Sequence, residues 1–225
     1  MNNIQLFHLL TKPNEEREQK SINDLQNLCT IANNIDYAQI INEPYIDEPP
    51  KDNVLFGKSE WVIGKTKPVS SFGLISGHYG CYLAHINAIK KFFEQDSHDY
   101  LIIAECDCKI DQDYKVLSEK INLACKVLND TDYKLFSLVN PNHQSIYNKN
   151  LFDNIFEINI IICTHLYIIN KKQKLFYQRI ISNYGWHAMD WWLNFVFIEE
   201  KEGMLCYKDI QLTSQYQGPS QIDRI

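Results

Sequence analysis

Glycine and proline are scarce in this chain, eight and seven among 225 residues. Long disordered linkers need more of both, so they are not expected. Positive charge is also short. Lys and Arg number 22 against 28 Asp and Glu, a formal charge of −6. A nucleic-acid binder needs a basic face. The clearest basic cluster here is Lys171-Lys172 with Lys174, which reads as a solvated helix end. No nucleic-acid partner is expected. Long apolar runs are missing as well. The longest window, INIIICTHLYII, is broken by Asn159, Thr164 and His165 and is too short to span a bilayer. MNNIQLFHLLTKP lacks the basic start and long apolar core of a signal peptide. The expectation is a soluble cytoplasmic protein without a transmembrane segment; an association with a membrane-borne acceptor stays open.

Seven cysteines are present, an odd number whose spacings show no disulfide framework. Most sit in apolar runs, where a free cysteine behaves as a small hydrophobe. A reducing compartment follows. The dinucleotide, Walker A and HExxH motifs are absent. So is the HxE plus PCxxC pattern of zinc deaminases.

What is present is a chain 45% hydrophobic and rich in aromatics, with 13 Tyr and 11 Phe. Its length suits one sizeable domain, here taken as 1–225. IQLFHLL (4–10), YAQII (37–41), YLIIA (100–104), LFSLV (135–139), IIICTHLYII (160–169) and MLCYK (204–208) read as strands. Helices are expected from Asn14 as cap, over about 78–94 and 113–129, through KKQKLFYQRIIS, and in DWWLNFVF. Strands alternate with helices. The fold class is α/β, with a Rossmann-type, mostly parallel central sheet flanked by helices. Residues 42–73 form a long irregular stretch with the character of a functional lid.

The chemistry concentrates in GHYGCYLAHINAIKKFFEQDSHDYLIIAECDCKI, residues 77–110. One reading is a soft-metal site built from Cys81, His85, Cys106 and Cys108. Zinc sites favour Cys pairs two to four residues apart, which Cys106-x-Cys108 does not match. The other reading rests on the acids. In open α/β sheets, ligands bind beyond the carboxyl ends of strands. YLIIA delivers Glu105 and Asp107 to such an end. Two carboxylates at i and i+2 can face one crevice, and hard oxygen ligands suit Mn²⁺ or Mg²⁺. The bland alternative is that these acids only open a turn.

GHYGCYLAHINAI followed by DYLIIAECD resembles the signature of glycosyltransferase family 25. That family includes bacterial lipooligosaccharide galactosyltransferases and, more distantly, collagen galactosyltransferases. Further blocks agree in order: IQLFHLLTKPNEERE with Arg17, CTHLYIINKKQKLF with Thr164, His165 and Tyr167, HAMDWWL with Asp190, and SQYQGPSQID with Gln217 and Ser220. The chain departs from the family pattern in three places, one of them the first strand, where the family's Asn-Leu-Asp-type sequence is His8-Leu9-Leu10-Thr11. The family's Glu-Asp-Asp is Glu105-Cys106-Asp107, and the Ser before His85 is Ala84.

The resemblance implies a GT-A-like fold, a nucleotide-sugar donor (a UDP-sugar by analogy) and an inverting, metal-assisted transfer. The acceptor would be a glycan, a lipid-linked sugar or a protein side chain. Asp107 and Glu105 would hold the metal. Asp190 would be the catalytic base, unless it only caps a helix. Arg17, His78, Gly80, Glu105, Gln217 and Ser220 would bind the donor. Trp186 and Trp191 would face the acceptor, with packing in the core as the plainer role. A binder of the same fold without turnover is the rival class.

Overall fold

In the computed structural model, the described residues are 2–43, 47, 50, 55, 76–139, 147–152, 154–161, 163–208 and 211–216. The chain opens with β1 (Ile4–Leu10), buried at every position. A continuous apolar run is what a strand covered on both faces requires. It pairs in parallel with β2 (Ile35–Ile41) and β3 (Tyr100–Glu105). Helix α1 (Glu16–Ile31) connects β1 to β2, and α2 (Ser76–Glu94) precedes β3. There follow β4 (Cys108–Ile110), α3 (Tyr114–Asp130), β5 (Leu135–Ser137), β6 (Tyr147–Phe152) and β7 (Ile155–Ile158). The order closes with β8 (Leu166–Asn170), α4 (Lys174–Asn183), α5 (Met189–Glu199), β9 (Met204–Tyr207) and β10 (Thr213–Gln215).

Eight strands form one sheet in the order β2-β1-β3-β8-β5-β9-β7-β6. The expected α/β architecture is present. Pairing is parallel across β2-β1-β3 and between β5 and β9, and antiparallel wherever β8 or β7 takes part. Because β8 runs backwards between β3 and β5, its N-terminal end lies at the same edge as the C-terminal ends of β1, β3 and β5. That edge gathers Thr11, Glu105, Val139 and His165.

Two apolar layers cover the sheet. Phe7, Leu101, Ile103, Tyr167 and Ile169 pack against α2, α4 and α5. Leu6, Ile102 and Ile168 point the other way, toward α1 and α3. This is the period-two alternation of a pleated strand. His8 is buried within β1, where Tyr37 Oη lies 2.9 Å from one ring nitrogen and Ser21 Oγ 3.1 Å from the other. Burial pushes its pKa down to about 4.

Several boundaries differ from the sequence reading. The run IIICTHLYII is strand only from Leu166, the described residues before it being irregular. Asn194 of α5 explains part of this. Its side chain holds both the N–H and the carbonyl of Ile161, at 2.8 Å each, in place of a ladder. Helix α1 starts at Glu16, and Asn14 does not cap it. Instead Glu18 reaches back from the first turn to accept from the Thr11 and Lys12 N–H groups at 3.0–3.1 Å. The short pair β4/β10 and the β6/β7 hairpin carry no strong sequence signal and were not expected. Most of 42–73 lies outside the described residues.

Asp113 does cap α3, accepting from Lys115 N at 2.8 Å and Val116 N at 3.4 Å. Asp113→Ala lowers folding stability by about 1 kcal/mol, measured by urea denaturation. No helix among the described residues is long and apolar enough to cross a membrane.

Candidate active site

Glu105 ends β3, and its backbone N–H donates to His165 O at 3.0 Å. Its Oε1 accepts from Thr164 Oγ1 at 2.5 Å and lies 3.1 Å from His85 Nε2. His85 is fully buried on α2, and its Nδ1 lies 2.9 Å from Tyr167 Oη. With Nε2–H donating to the carboxylate, Nδ1 pairs with the Tyr167 hydroxyl. Burial pushes the Glu105 carboxyl up. The His85 hydrogen bond and charge, with the Thr164 hydroxyl, outweigh it and hold the group below its ordinary value. Glu105 is therefore a fixed negative charge.

Asp107 follows in the tight turn between β3 and β4. Its Oδ2 lies 3.7 Å from Arg17 Nη1. Its Oδ1 is buried and has no hydrogen-bond partner among the described residues. Burial, and then the Glu105 charge, push the Asp107 carboxyl up to about 6 against the opposing pull of Arg17. Cys106, between the two acids, has its Sγ 4.0 Å from Arg17 Nη2. Burial raises its thiol beyond the normal range, so it stays protonated.

Asp190 sits in the first turn of α5 and accepts from Trp191 N at 2.8 Å. The N-cap position itself is Ala188. Burial pushes Asp190 up to about 6, and the Glu105 charge adds to the rise. Three carboxylates from β3, the following turn and α5 thus share one poorly hydrated region, with Arg17 beside it.

Cys81 stands one helical turn before His85. Its sulfur, a His85 nitrogen and a Glu105 oxygen all lie within 4.8 Å of one another. Burial and then the Glu105 charge push the Cys81 thiol far up. Among the described residues this is the one His/Cys/acid trio at ligand spacing. Cys106 and Cys108 do not join it, and Cys108 is fully buried in the core.

The remaining expected residues fall as follows. His78 and Gly80 lie half-buried in the first turns of α2, and the His78 charge is felt by His187. Trp186 is only 4% exposed. Its ring meets Tyr79 edge-on at 4.7 Å and its Nε1 donates to Pro50 O at 3.0 Å. To stack on a sugar it would have to leave that packing. Trp191 is 40% exposed and tilts against His187. Gln217 and Ser220 lie outside the described residues. The residue before them, Tyr216, donates its N–H to Asp107 O at 2.8 Å.

No family model matches the chain, and no curated protein matches it. Among solved structures, it is similar to a glycosyltransferase involved in the glycosylation of the major capsid of PBCV-1. The TM-score is 0.54 at 10% identity, over 98% of this chain and 96% of that one. The fold is GT-A-like. A second structure, 4-diphosphocytidyl-2C-methyl-D-erythritolsynthase from Anaerococcus prevotii DSM 20548, aligns with a TM-score of 0.48 at 7% identity, over 99% of this chain and 94% of that one. Identities this low speak to fold alone.

Sequence reasoning passed over the Tyr167–His85–Glu105 chain of contacts as a unit. His85 and Tyr167 are 82 residues apart. The one signal was polar side chains recurring inside apolar runs.

Proposed function

We propose that this chain is a metal-assisted glycosyltransferase that moves a sugar from a nucleotide-sugar donor to an acceptor hydroxyl. The observation that carries the reading is Asp107. A carboxylate oxygen buried without a partner, in a pocket already negative from Glu105, is a poor arrangement for a folded protein by itself. It is a good one for a divalent cation. The donor set is oxygen, which suits Mn²⁺ or Mg²⁺. Asp107 and Glu105 would hold the ion, and when bound it would supply charge neutralisation for a departing diphosphate.

The chain's own residues supply the rest. Arg17, next to Asp107, binds and orients diphosphate oxygens. Asp190 accepts the proton of the acceptor hydroxyl. Its raised pKa, about 6, makes it a stronger base than an ordinary aspartate while leaving it ionised near neutral pH. The Tyr167–His85 pair keeps Glu105 ionised and fixed in direction. His78 and Gly80 border the donor side. Gln217 and Ser220 follow as donor contacts from the family-25 resemblance alone. Trp191 offers the exposed ring for an acceptor. A UDP-sugar carrying galactose or glucose, and inversion at the anomeric carbon, follow from the family-25 resemblance.

Two other readings have specific tests. Stoichiometric zinc retained through dialysis and lost in Cys81→Ser would favour the Cys81–His85–Glu105 trio as a soft-metal site. Nucleotide-sugar binding without turnover would favour a binder. The primary experiment is a thermal-shift screen of nucleotide sugars with and without Mn²⁺. A ligand at about 100 times its Kd stabilises the fold by about 2.7 kcal/mol. A shift that needs both donor and Mn²⁺ is the expected result. No shift with any nucleotide sugar contradicts the assignment.

A further inference from the structure

Next to the acid cluster is an open cavity of about 700 Å³. Its walls come from β4, the residues before β8, and β10 with Tyr216. Its size falls within the range of small-molecule sites, about 300–1,000 Å³. His165 lines it, is 3% exposed, and has two buried ring nitrogens without a hydrogen-bond partner among the described residues. Burial holds the His165 ring below its ordinary pKa against the opposing pull of the Glu105 charge and the Thr213 backbone, and no hydrogen bond of acceptable geometry reaches either nitrogen from the described residues. A buried imidazole with both nitrogens idle is costly. His165 borders the cavity, and its ring nitrogens, covered as the side chain stands, would meet a bound ligand through a small side-chain shift.

The lining chemistry narrows the ligand. Lys109 is the cation of the wall, and its Nζ is held by Asp111 Oδ1 at 2.7 Å. Ser214, Gln211 and Gln215 add neutral donors and acceptors. The one cation this wall offers a diphosphate, among the described residues, is already paired with Asp111. A neutral polyhydroxyl molecule fits better, because each of its hydroxyls both donates and accepts, matching imidazole, amide and hydroxyl groups. Cys163 lines the same cavity and feels the charges of Glu105, Asp190 and Asp107. A ligand here would therefore border the acids.

We propose that this cavity is a saccharide subsite, with His165 as its buried hydrogen-bonding anchor, and that it holds the acceptor sugar. The inference rests on the glycosyltransferase reading for the word acceptor. The saccharide site itself stands on the cavity and His165.

The test uses imidazole-nitrogen NMR of the full chain with isotope-labelled histidine. Methyl galactoside, methyl glucoside and lactose are added separately, and UDP with Mn²⁺ is added as a further arm. The expected result is that at least one saccharide shifts the His165 ring signals, assigned by their loss in His165→Phe. His165→Phe weakens saccharide binding by about tenfold or more. Ser214→Trp, which fills the cavity from its rim, does the same and keeps the test alive should the His165 variant not fold. UDP–Mn²⁺ binding to Ser214→Trp stays unchanged.

The proposal is overturned if no saccharide moves the His165 signals, or if Ser214→Trp binds saccharide like the parent chain. It is also overturned if UDP with Mn²⁺ moves His165 while saccharides do not, because the cavity would then belong to the nucleotide. Saccharide binding at His165 without any UDP–Mn²⁺ binding would support the subsite and count against the glycosyltransferase reading, so the two fail separately.

Discussion

Asp107→Asn is expected to lower donor turnover by about 100-fold to 1,000-fold, the range seen when a principal electrostatic contact is removed from a reaction centre. The same change should stabilise the metal-free protein above about pH 6. The second effect follows from linkage. The Asp107 carboxyl is raised from 3.8 to about 6 in the fold, first by burial and then by Glu105. The folded state therefore binds the proton more tightly than the unfolded chain. Stability falls as pH rises through the window from about 4 to about 6, and the full cost is present above it. With a side chain only 17% exposed, that cost is roughly 1–3 kcal/mol. Asparagine carries no charge and escapes it. Urea denaturation without metal, at about pH 5 and about pH 8, reads the difference. A loss of stability at the higher pH would instead mean that the Asp107–Arg17 ion pair holds the turn together. Metal added to the parent chain should recover the stability, and metal added to Asp107→Asn should not.

Asp190→Asn is expected to cut kcat by about 100-fold to 10,000-fold, the contribution of a positioned general base. Donor binding should change little, because Asp190 is assigned to the acceptor proton and Arg17 to the diphosphate. The pH profile adds a second readout. A base must be ionised to act, and burial with the Glu105 charge sets this group at about 6. In the parent chain kcat should therefore fall as pH drops below about 6. In the variant that acidic limb disappears along with the rate. An unchanged limb in a slow variant would assign it to another group. Activity within tenfold of the parent would remove Asp190 from the chemistry.

How far the sequence revealed this site depends on which physical signal each residue left. Glu105 and Asp107 were legible because a short, fully apolar run has to be a covered strand, and its polar end has to reach the sheet edge. The cost of Asp107 was not legible. It comes from burial and then from the Glu105 charge, which Arg17 only partly offsets, and these are tertiary facts. Cys81 and His85 share a helical face by spacing alone, but their third neighbour, Glu105, arrives only when α2 packs on β3. Cys106 and Cys108 looked like a pair. Two residues apart across a turn, they part company, one beside Arg17 and the other in the core.

The tryptophans show the opposite difficulty. GWHAMDWWLN suggested a wall of rings for a sugar, and hydrophobicity cannot say which ring is outside. Trp186 and Trp192 are buried, and Trp191 is not. His165 was hidden for another reason. Set within INIIICTHLYII, it read as part of a strand, while the ladder begins only at Leu166. Thr164 turns its side chain toward Glu105, and Cys163 and His165 line the cavity. The β4/β10 pair that walls this cavity has three residues per strand, too few for any periodicity to register.

The central claim is that the acids at the end of β3 promote cleavage of a nucleotide-sugar bond. Phosphorus NMR of the purified chain with a UDP-sugar and Mg²⁺, water taking the sugar in the absence of an added acceptor, tests it most directly. The account predicts steady conversion of the sugar diphosphate to UDP, loss of that conversion on chelating the metal, and its near absence in Asp107→Asn. An unchanged donor spectrum across the UDP-sugars, or conversion that Asp107→Asn leaves intact, would contradict it.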